Sequence, residues 1–130
     1  MENFESSLQQ DTLQFLGQIS FGTDGYIFVD DLEGNVLQNA ADKTSIGANQ
    51  RDLVDRNGVK FVQEIHRIAL TAPEGGWVNY TVTRPSTGTL SPKISYVRSV
   101  SRWSWIIGTG VYLQDIDEAI AEVSGNLPER

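Results

Sequence analysis

The sequence has no cysteine, and its only histidine is His66. Without cysteine the chain has no thiol nucleophile, no disulfide and no thiolate metal site. A single histidine excludes a multi-histidine metal centre and leaves no second imidazole for a proton relay. No Gly-x-Ser-x-Gly motif and no glycine-rich phosphate loop with a lysine is present. We therefore expect no catalytic residues, no cofactor and no metal, and we do not expect an enzyme.

Long apolar runs and basic residues are also scarce. No run of 18 apolar residues could span a bilayer, and Glu2 and Asn3 stand where a secretory leader would be basic and then apolar. Ten Lys and Arg against 17 Asp and Glu give a formal net charge of -7, which opposes binding to nucleic acid or to an anionic membrane. We expect a soluble chain without a nucleic-acid partner, either cytosolic or a fragment of a longer protein.

A hydrophobic share of 39% with three Trp, four Tyr and five Phe is sufficient for one packed core in 130 residues. Apolar residues at three-to-four spacing predict a helix over residues 3–21, and a short helix can form over 50–55. Residues 26–29 and 35–38 predict a hairpin, and residues 77–83, 93–100 and 103–112 predict three strands of an antiparallel meander. A final helix follows Asp115, which can cap it. A second helix is predicted by its apolar face, formed by Phe61, Ile65, Ile68, Ala69 and Ala72.

This order of elements predicts an α+β domain with a five-stranded antiparallel sheet. We expect one domain over residues 1–130, with an N-terminal helix in 1–22, the sheet and pocket in 23–112 and a C-terminal helix in 113–130. Gly108 and Gly110 point to one face of the last strand, where a helix could approach closely.

Residues 53–64 come closest to a calcium loop, since Asp55, Asn57 and Glu64 occupy ligand positions of such a loop and Gly58 its turn position. Its first position is Leu53, which has no carboxylate. A helix end at Asn57 and Gly58 explains the segment better, and no metal site is predicted.

A more informative group lies on the predicted strands that face the polar segment around Asn39. It comprises Trp77, Tyr80, Lys93 and Tyr96. Aromatic walls with one lysine suit a small anion, because the ammonium attracts a carboxylate and tyrosine hydroxyls hydrogen-bond to it. Lys93 and Tyr96 are three residues apart, so both can face one pocket only if a bulge or a strand end intervenes. The alternative is a set of core aromatics with a surface lysine.

Six runs, in order, resemble a single Cache domain, and the resemblance covers about residues 20–118. They are DGYIFV at 24–29, EGNVL at 33–37, DRNG at 55–58, GWVNY at 76–80, PKISYV at 92–97 and WSWIIGTGVY at 103–112. The resemblance implies a PAS-like five-stranded antiparallel sheet with a long N-terminal helix, a pocket-side helix and a C-terminal helix. It also implies an extracytoplasmic sensor domain of a chemoreceptor, sensor kinase or cyclic-dinucleotide enzyme, on the periplasmic side of the membrane.

The resemblance further implies a short-chain carboxylate ligand, such as acetate, propionate, pyruvate or lactate. Lys93, Tyr96 and Tyr80 match the family's ligand contacts, and we add Trp77 and Asn39 from their expected positions. Asn39 and Ala40 stand where many relatives have His-Pro, so this chain lacks that positive charge near the pocket. Membrane attachment would come only through flanking segments, and a homodimer could form through the N-terminal helix. The alternative function is a ligand-free dimerisation or protein-interaction module.

Overall fold

The computed structural model describes residues 2–126, which form three α-helices and six strands. The helices are α1 (Glu2–Leu16), α2 (Phe61–Thr71) and α3 (Leu113–Asn126). The strands are β1 (Ser20–Phe21), β2 (Gly25–Asp31), β3 (Val36–Asn39), β4 (Gly76–Thr83), β5 (Leu90–Val100) and β6 (Trp105–Tyr112). Short 3-10 turns lie at Lys43–Ser45 and Ser101–Trp103. The α+β class predicted from the sequence is confirmed.

All strand pairs in the sheet are antiparallel. The five predicted strands lie in the order β3-β2-β6-β5-β4, and β1 adds a two-residue pairing beside the start of β2. The register between β4 and β5 is continuous from Gly76↔Val97 to Thr83↔Leu90. Successive residues of each strand therefore point to opposite faces throughout.

The two faces of the sheet carry separate apolar clusters. On one face α2 packs Ile65 and Ala69 against Phe28, Val78, Tyr80, Val97 and Ile106. On the other face Leu13 of α1 packs with Val29 and Trp105. The predicted apolar face of α2 is confirmed for Ile65 and Ala69, which are buried, and for Phe61 and Ile68, which pack against the same cluster. Ala72, also predicted on this face, lies after the last helical residue as the C-cap.

Helix α1 is shorter than the helix predicted over residues 3–21, because it ends at Leu16. Gly17 follows, and a Cβ there would lie 2.5 Å from the side-chain amide nitrogen of Gln38. That amide donates to the Leu13 carbonyl at 2.8 Å, which also accepts the Gly17 N–H at 3.0 Å. A tertiary contact with β3 therefore accompanies the end of the helix, while the apolar spacing continues to Ile19.

One stripe of α1 stays exposed, although the opposite side packs on the sheet. Phe4, Leu8 and Phe15 share that stripe at 100° per residue, and Phe4 and Phe15 are 72% and 63% exposed. The homodimer contact expected through this helix would fit such a stripe. It stays a prediction.

The segment between β3 and α2 does not form the short helix predicted over residues 50–55. It folds back along the hairpin instead. The backbone N–H of Val36 donates to the Ala48 carbonyl, and the backbone N–H of Gln50 donates to the Gly34 carbonyl. The Asp55 carboxylate accepts N–H bonds from Asn57, Val59 and Thr81 at 2.8–3.0 Å. These bonds lower the pKa of Asp55, and they stabilise a turn in place of a helix.

Helix α3 begins directly after β6, so the prediction that Asp115 caps it is wrong. Leu113 is its first residue. Asp115 lies within the first turn and accepts a bond from Arg84 of the β4–β5 loop at 2.6 Å. This carboxylate therefore forms a tertiary ion pair with Arg84 and does not cap the helix.

Candidate ligand-binding site

A cavity of about 350 Å³ lies between the sheet, α2 and the polar segment after β3. Strand β2 contributes alternate residues to its wall, which are Tyr26, Phe28 and Asp30. Phe61 of α2 stacks on Tyr80 of β4, with ring centroids 5.1 Å apart and planes at 12°. The polar side is formed by Asp30, Asn39, Asp42, Gln50 and Thr83. Such a volume with aromatic walls and a few polar groups suits a small molecule.

Lys93 of β5 is buried behind the aromatic wall of this cavity, with 2% of its surface exposed. Its Nζ donates to the Tyr26 hydroxyl at 3.0 Å. Four rings have centroids within 6 Å of Nζ, those of Tyr26 (4.4 Å), Tyr112 (5.7 Å), Phe28 (5.8 Å) and Tyr80 (5.9 Å). Among residues 4–125, whose side chains the structure describes, no carboxylate forms an ion pair with it.

Burial without a counter-ion lowers the pKa of Lys93 to about 8, although the negative charge of Asp24 acts in the opposite direction. The physical cause is desolvation, which disfavours the charged form of a buried amine. An uncompensated ammonium in an aromatic enclosure is costly, and an anion next to it would offset that cost.

Gly110 leaves the space that the Lys93 side chain occupies. A Cβ at Gly110 would lie 3.0 Å from Lys93 Cε and 2.4 Å from Ser95 Oγ, and a Cβ at Gly108 would lie 2.3 Å from the Phe28 ring. The two glycines do share one face of β6, as predicted. Side chains of neighbouring strands fill the strip, so the expected helix contact there is wrong.

Two further predicted residues, Tyr80 and Asn39, lie in the cavity wall. The hydroxyls of Tyr80 and Ser95 are hydrogen-bonded at 2.8 Å, and burial raises the pKa of Tyr80 to about 12. Asn39 Oδ1 accepts N–H bonds from Ala41 and Asp42, both at 3.0 Å. Its Nδ2 has no hydrogen-bond partner in the part of the chain whose side chains are described, residues 4–125.

Tyr96 and Trp77 lie on the opposite face of the sheet, so the structure does not bring them to the cavity. Trp77 is 62% exposed, its ring contacts that of Tyr96 with centroids 5.2 Å apart, and the Tyr96 hydroxyl donates to the Glu74 carbonyl. The reason is the regular β4–β5 register, which has no bulge that would turn Tyr96 toward the face of Lys93.

Tyr26 and a buried pair between Asp30 and His66 were not predicted from the sequence. His66 Nε2 lies 3.1 Å from Asp30 Oδ2, with 12% and 9% of the two side chains exposed. Alternation along β2 could have indicated both Tyr26 and Asp30, because Tyr26, Phe28 and Asp30 share one face. The contact with His66 depends on how α2 sits on the sheet, which no local pattern specifies.

An ion-pair network closes the end of the sheet near Lys93. Arg84 Nε lies 2.5 Å from Asp24 Oδ2, and the two side chains are 8% and 3% exposed. Burial acts to raise the pKa of Asp24, but the bonds from Arg84 and Ser86 outweigh it and hold that pKa below its usual range. The Arg84 guanidinium also lies 5.0 Å from the Tyr112 ring centroid. Its bond to Asp115 joins this network to α3.

The family model described as Single Cache domain 2 matches residues 5–126. This chain belongs to that family. The resemblance inferred from six sequence runs is confirmed, and single Cache domains are non-catalytic sensor domains of chemoreceptors and kinases.

The Cache domain has relatives among receptors. It is 37% identical over 112 residues to the sensor histidine kinase MctS of Rhizobium johnstonii. The matched region covers 86% of this chain and 24% of that protein. It is 27% identical to the methyl-accepting chemotaxis protein McpP of Pseudomonas putida, over 87% of this chain and 21% of that one. The chain thus spans about a quarter or less of the length of these curated relatives. It is a ligand-sensing receptor domain.

Solved structures share the fold. A methyl-accepting chemotaxis protein of Vibrio parahaemolyticus is 29% identical with a TM-score of 0.78, over 85% of this chain and 73% of that one. A Cache chemosensory domain solved for its carboxylic acid recognition is 24% identical with a TM-score of 0.77, over 82% and 72% of the two chains. Among residues 2–126, no helix combines the length and apolar character needed to cross a membrane.

Proposed function

We propose that this Cache domain binds a short-chain monocarboxylate, with Lys93 as the counter-ion. The observation that carries the proposal is the buried ammonium, which has no ion-pair partner among the side chains of residues 4–125 and lies behind one wall of the 350 Å³ cavity. A bound carboxylate would supply the missing negative charge where the local dielectric is low and charge-assisted bonds are strong.

Tyr26 provides the link between the lysine and the cavity. Its hydroxyl accepts from Lys93 Nζ at 3.0 Å, which leaves the hydroxyl hydrogen free to donate to a ligand oxygen, and its side chain lines the cavity. Phe28, Phe61 and Tyr80 would contact the alkyl part of the ligand, and Asn39 Nδ2 is a second donor from the polar side. A Cache neighbour with the same fold recognises carboxylic acids, so the fold can hold such a ligand.

We also propose that the domain works on the periplasmic side of a membrane receptor, as its family does. The sensor kinase MctS and the chemotaxis protein McpP are much longer than this chain. Their remaining lengths would correspond to membrane spans and an output domain. Ligand binding would change how α1 and α3 pack on the sheet, and the signal would pass along these helices only if the two arrangements bind the ligand unequally.

A thermal-shift comparison of propionate with propionamide tests the ligand class, because the two differ chiefly in charge. A ligand at a hundred times its dissociation constant adds about 2.7 kcal/mol, or several degrees in a domain of this size. We expect a rise with propionate and none with propionamide. The rise should be absent in Lys93→Met and preserved in Trp77→Ala, whose side chain lies on the opposite face.

Equal rises with the acid and the amide, or a rise that survives in Lys93→Met, would contradict the proposal. No rise with any C2 to C4 acid would favour the ligand-free interaction module.

A further inference from the structure

A second concave surface lies on the outer side of α2, separate from the 350 Å³ cavity described above. This groove has a volume of about 460 Å³. Its apolar wall includes Leu32, Val59 and Leu70, and its basic side chains are Arg51, Lys60 and Arg67. This chain is acidic overall, yet three of its ten Lys and Arg residues line this one groove.

The groove has a surplus of positive charge. Arg67 pairs with Glu64, which also lines the groove, so these two charges offset each other. Arg51 and Lys60 form no ion pair with any described side chain, those of residues 4–125. Two cations without an ion-pair partner among the described side chains therefore line the groove.

The backbone at Arg51 is held in place by specific contacts. Gln63 of α2 donates to the Arg51 carbonyl at 3.3 Å. Gly34, with φ +92°, packs so closely that a Cβ there would lie 2.8 Å from the Arg51 Cβ. These contacts fix the loop that carries Arg51 against the helix that follows Lys60.

Val62 lines both the groove and the cavity, but no polar residue lines both. Val62 and the pair of Asp30 and His66 lie between them, with Asp30 on the cavity side and His66 on the groove side. Lys93 does not line the groove. Occupancy of one site therefore does not require the other.

We propose that this groove is a second binding site, for a small anion that carries two or more negative charges. Arg51 and Lys60 can each pair with one charge, whereas a monocarboxylate would satisfy only one of them. The volume is sufficient for a molecule such as a tricarboxylate, and the apolar wall would cover its carbon chain. The proposal depends on the charges of the groove and not on the function proposed for Lys93.

Calorimetric titration with citrate at constant ionic strength tests this site. Three variants are compared with the wild type: Lys93→Met, the double variant Arg51→Gln/Lys60→Gln, and the control Lys43→Gln/Arg56→Gln. The control removes the same charge from exposed residues that do not line the groove. We expect affinities within twofold of the wild type for Lys93→Met and for the control. The groove variant should lose at least tenfold.

Loss of citrate binding in Lys93→Met would overturn the proposal, because citrate would then occupy the cavity. Equal losses in the groove variant and the control would also overturn it, because net charge alone would explain the result. Absence of citrate binding to the wild type would do the same. Because Arg51 and Lys60 are exposed, the urea midpoint of the groove variant should match that of the control, which excludes unfolding as the cause of a loss.

Discussion

Replacing Lys93 with methionine should make the unliganded domain more stable at pH 7, by about 3 kcal/mol. The buried lysine has a pKa of about 8 against 10.5 for the ordinary side chain. Each unit of difference corresponds to about 1.4 kcal/mol of cost for the charged form. Methionine has a similar shape and no charge, so it removes that cost and keeps the packing against the four rings. Urea unfolding of both proteins measures the difference.

The pH dependence of this gain follows from the sign of the shift. Because the pKa is lower in the folded state, the unfolded state binds more protons between pH 8 and 10.5, and the wild type gains stability as the pH rises through that range. The advantage of Lys93→Met should therefore be nearly complete at pH 7 and fall by about half near pH 9.3. Burial raises the pKa values of Tyr26, Tyr80 and Tyr112, but these residues are common to both proteins and their effects largely cancel.

The exposed Lys43 provides the control for this prediction. Lys43→Met should change stability by no more than about 0.5 kcal/mol, as is usual for surface substitutions. A wild type that is more stable than Lys93→Met at pH 7 would show that the ammonium is already compensated. The main physical argument for an anionic ligand would then be wrong.

Replacing Arg84 with methionine should destabilise the domain by about 3–5 kcal/mol. The change leaves the Asp24 carboxylate, which is 3% exposed, buried without its cation, and such a loss is expensive. It also removes the bond that joins the β4–β5 loop to Asp115 of α3. Urea unfolding at pH 7 checks the magnitude.

Arg102 offers a matched control, because it also pairs with a carboxylate but is 78% exposed. Arg102→Met should cost less than about 1 kcal/mol. Adding Asp24→Asn to Arg84→Met should restore part of the lost stability, since the unpaired charge is then removed. Equal losses for Arg84→Met and Arg102→Met would mean that the buried network contributes no more than a surface pair.

Local sequence patterns were sufficient for most of the fold. The alternation in the strands and the apolar spacing of α2 follow from side-chain periodicity, and they predicted the elements that form the sheet and its helix. The end of α1 could not be predicted in this way, because the contact between Gly17 and Gln38 joins residues that are far apart in sequence. The same holds for Asp115, whose partner Arg84 lies 31 residues away.

The candidate site was predictable only in part for the same reason. Lys93, Tyr80 and Asn39 were found from residue type and expected strand positions, and strand parity already raised a difficulty for Tyr96. Parity was decisive, since the regular β4–β5 register directs Tyr96 and Trp77 away from the cavity. The burial of Lys93 behind Tyr26 depends on Gly110 in the neighbouring strand. No single segment of the sequence contains that information.

The most direct test of the central claim is calorimetric titration of propionate at pH 7 and pH 9, in buffers of different ionisation enthalpy. If the ammonium of Lys93 is the counter-ion, its pKa of about 8 requires proton uptake on binding at pH 9. We expect close to one proton taken up per propionate at pH 9 and an affinity about tenfold weaker than at pH 7. Equal affinity at both pH values, with no proton uptake, would contradict the assignment of Lys93.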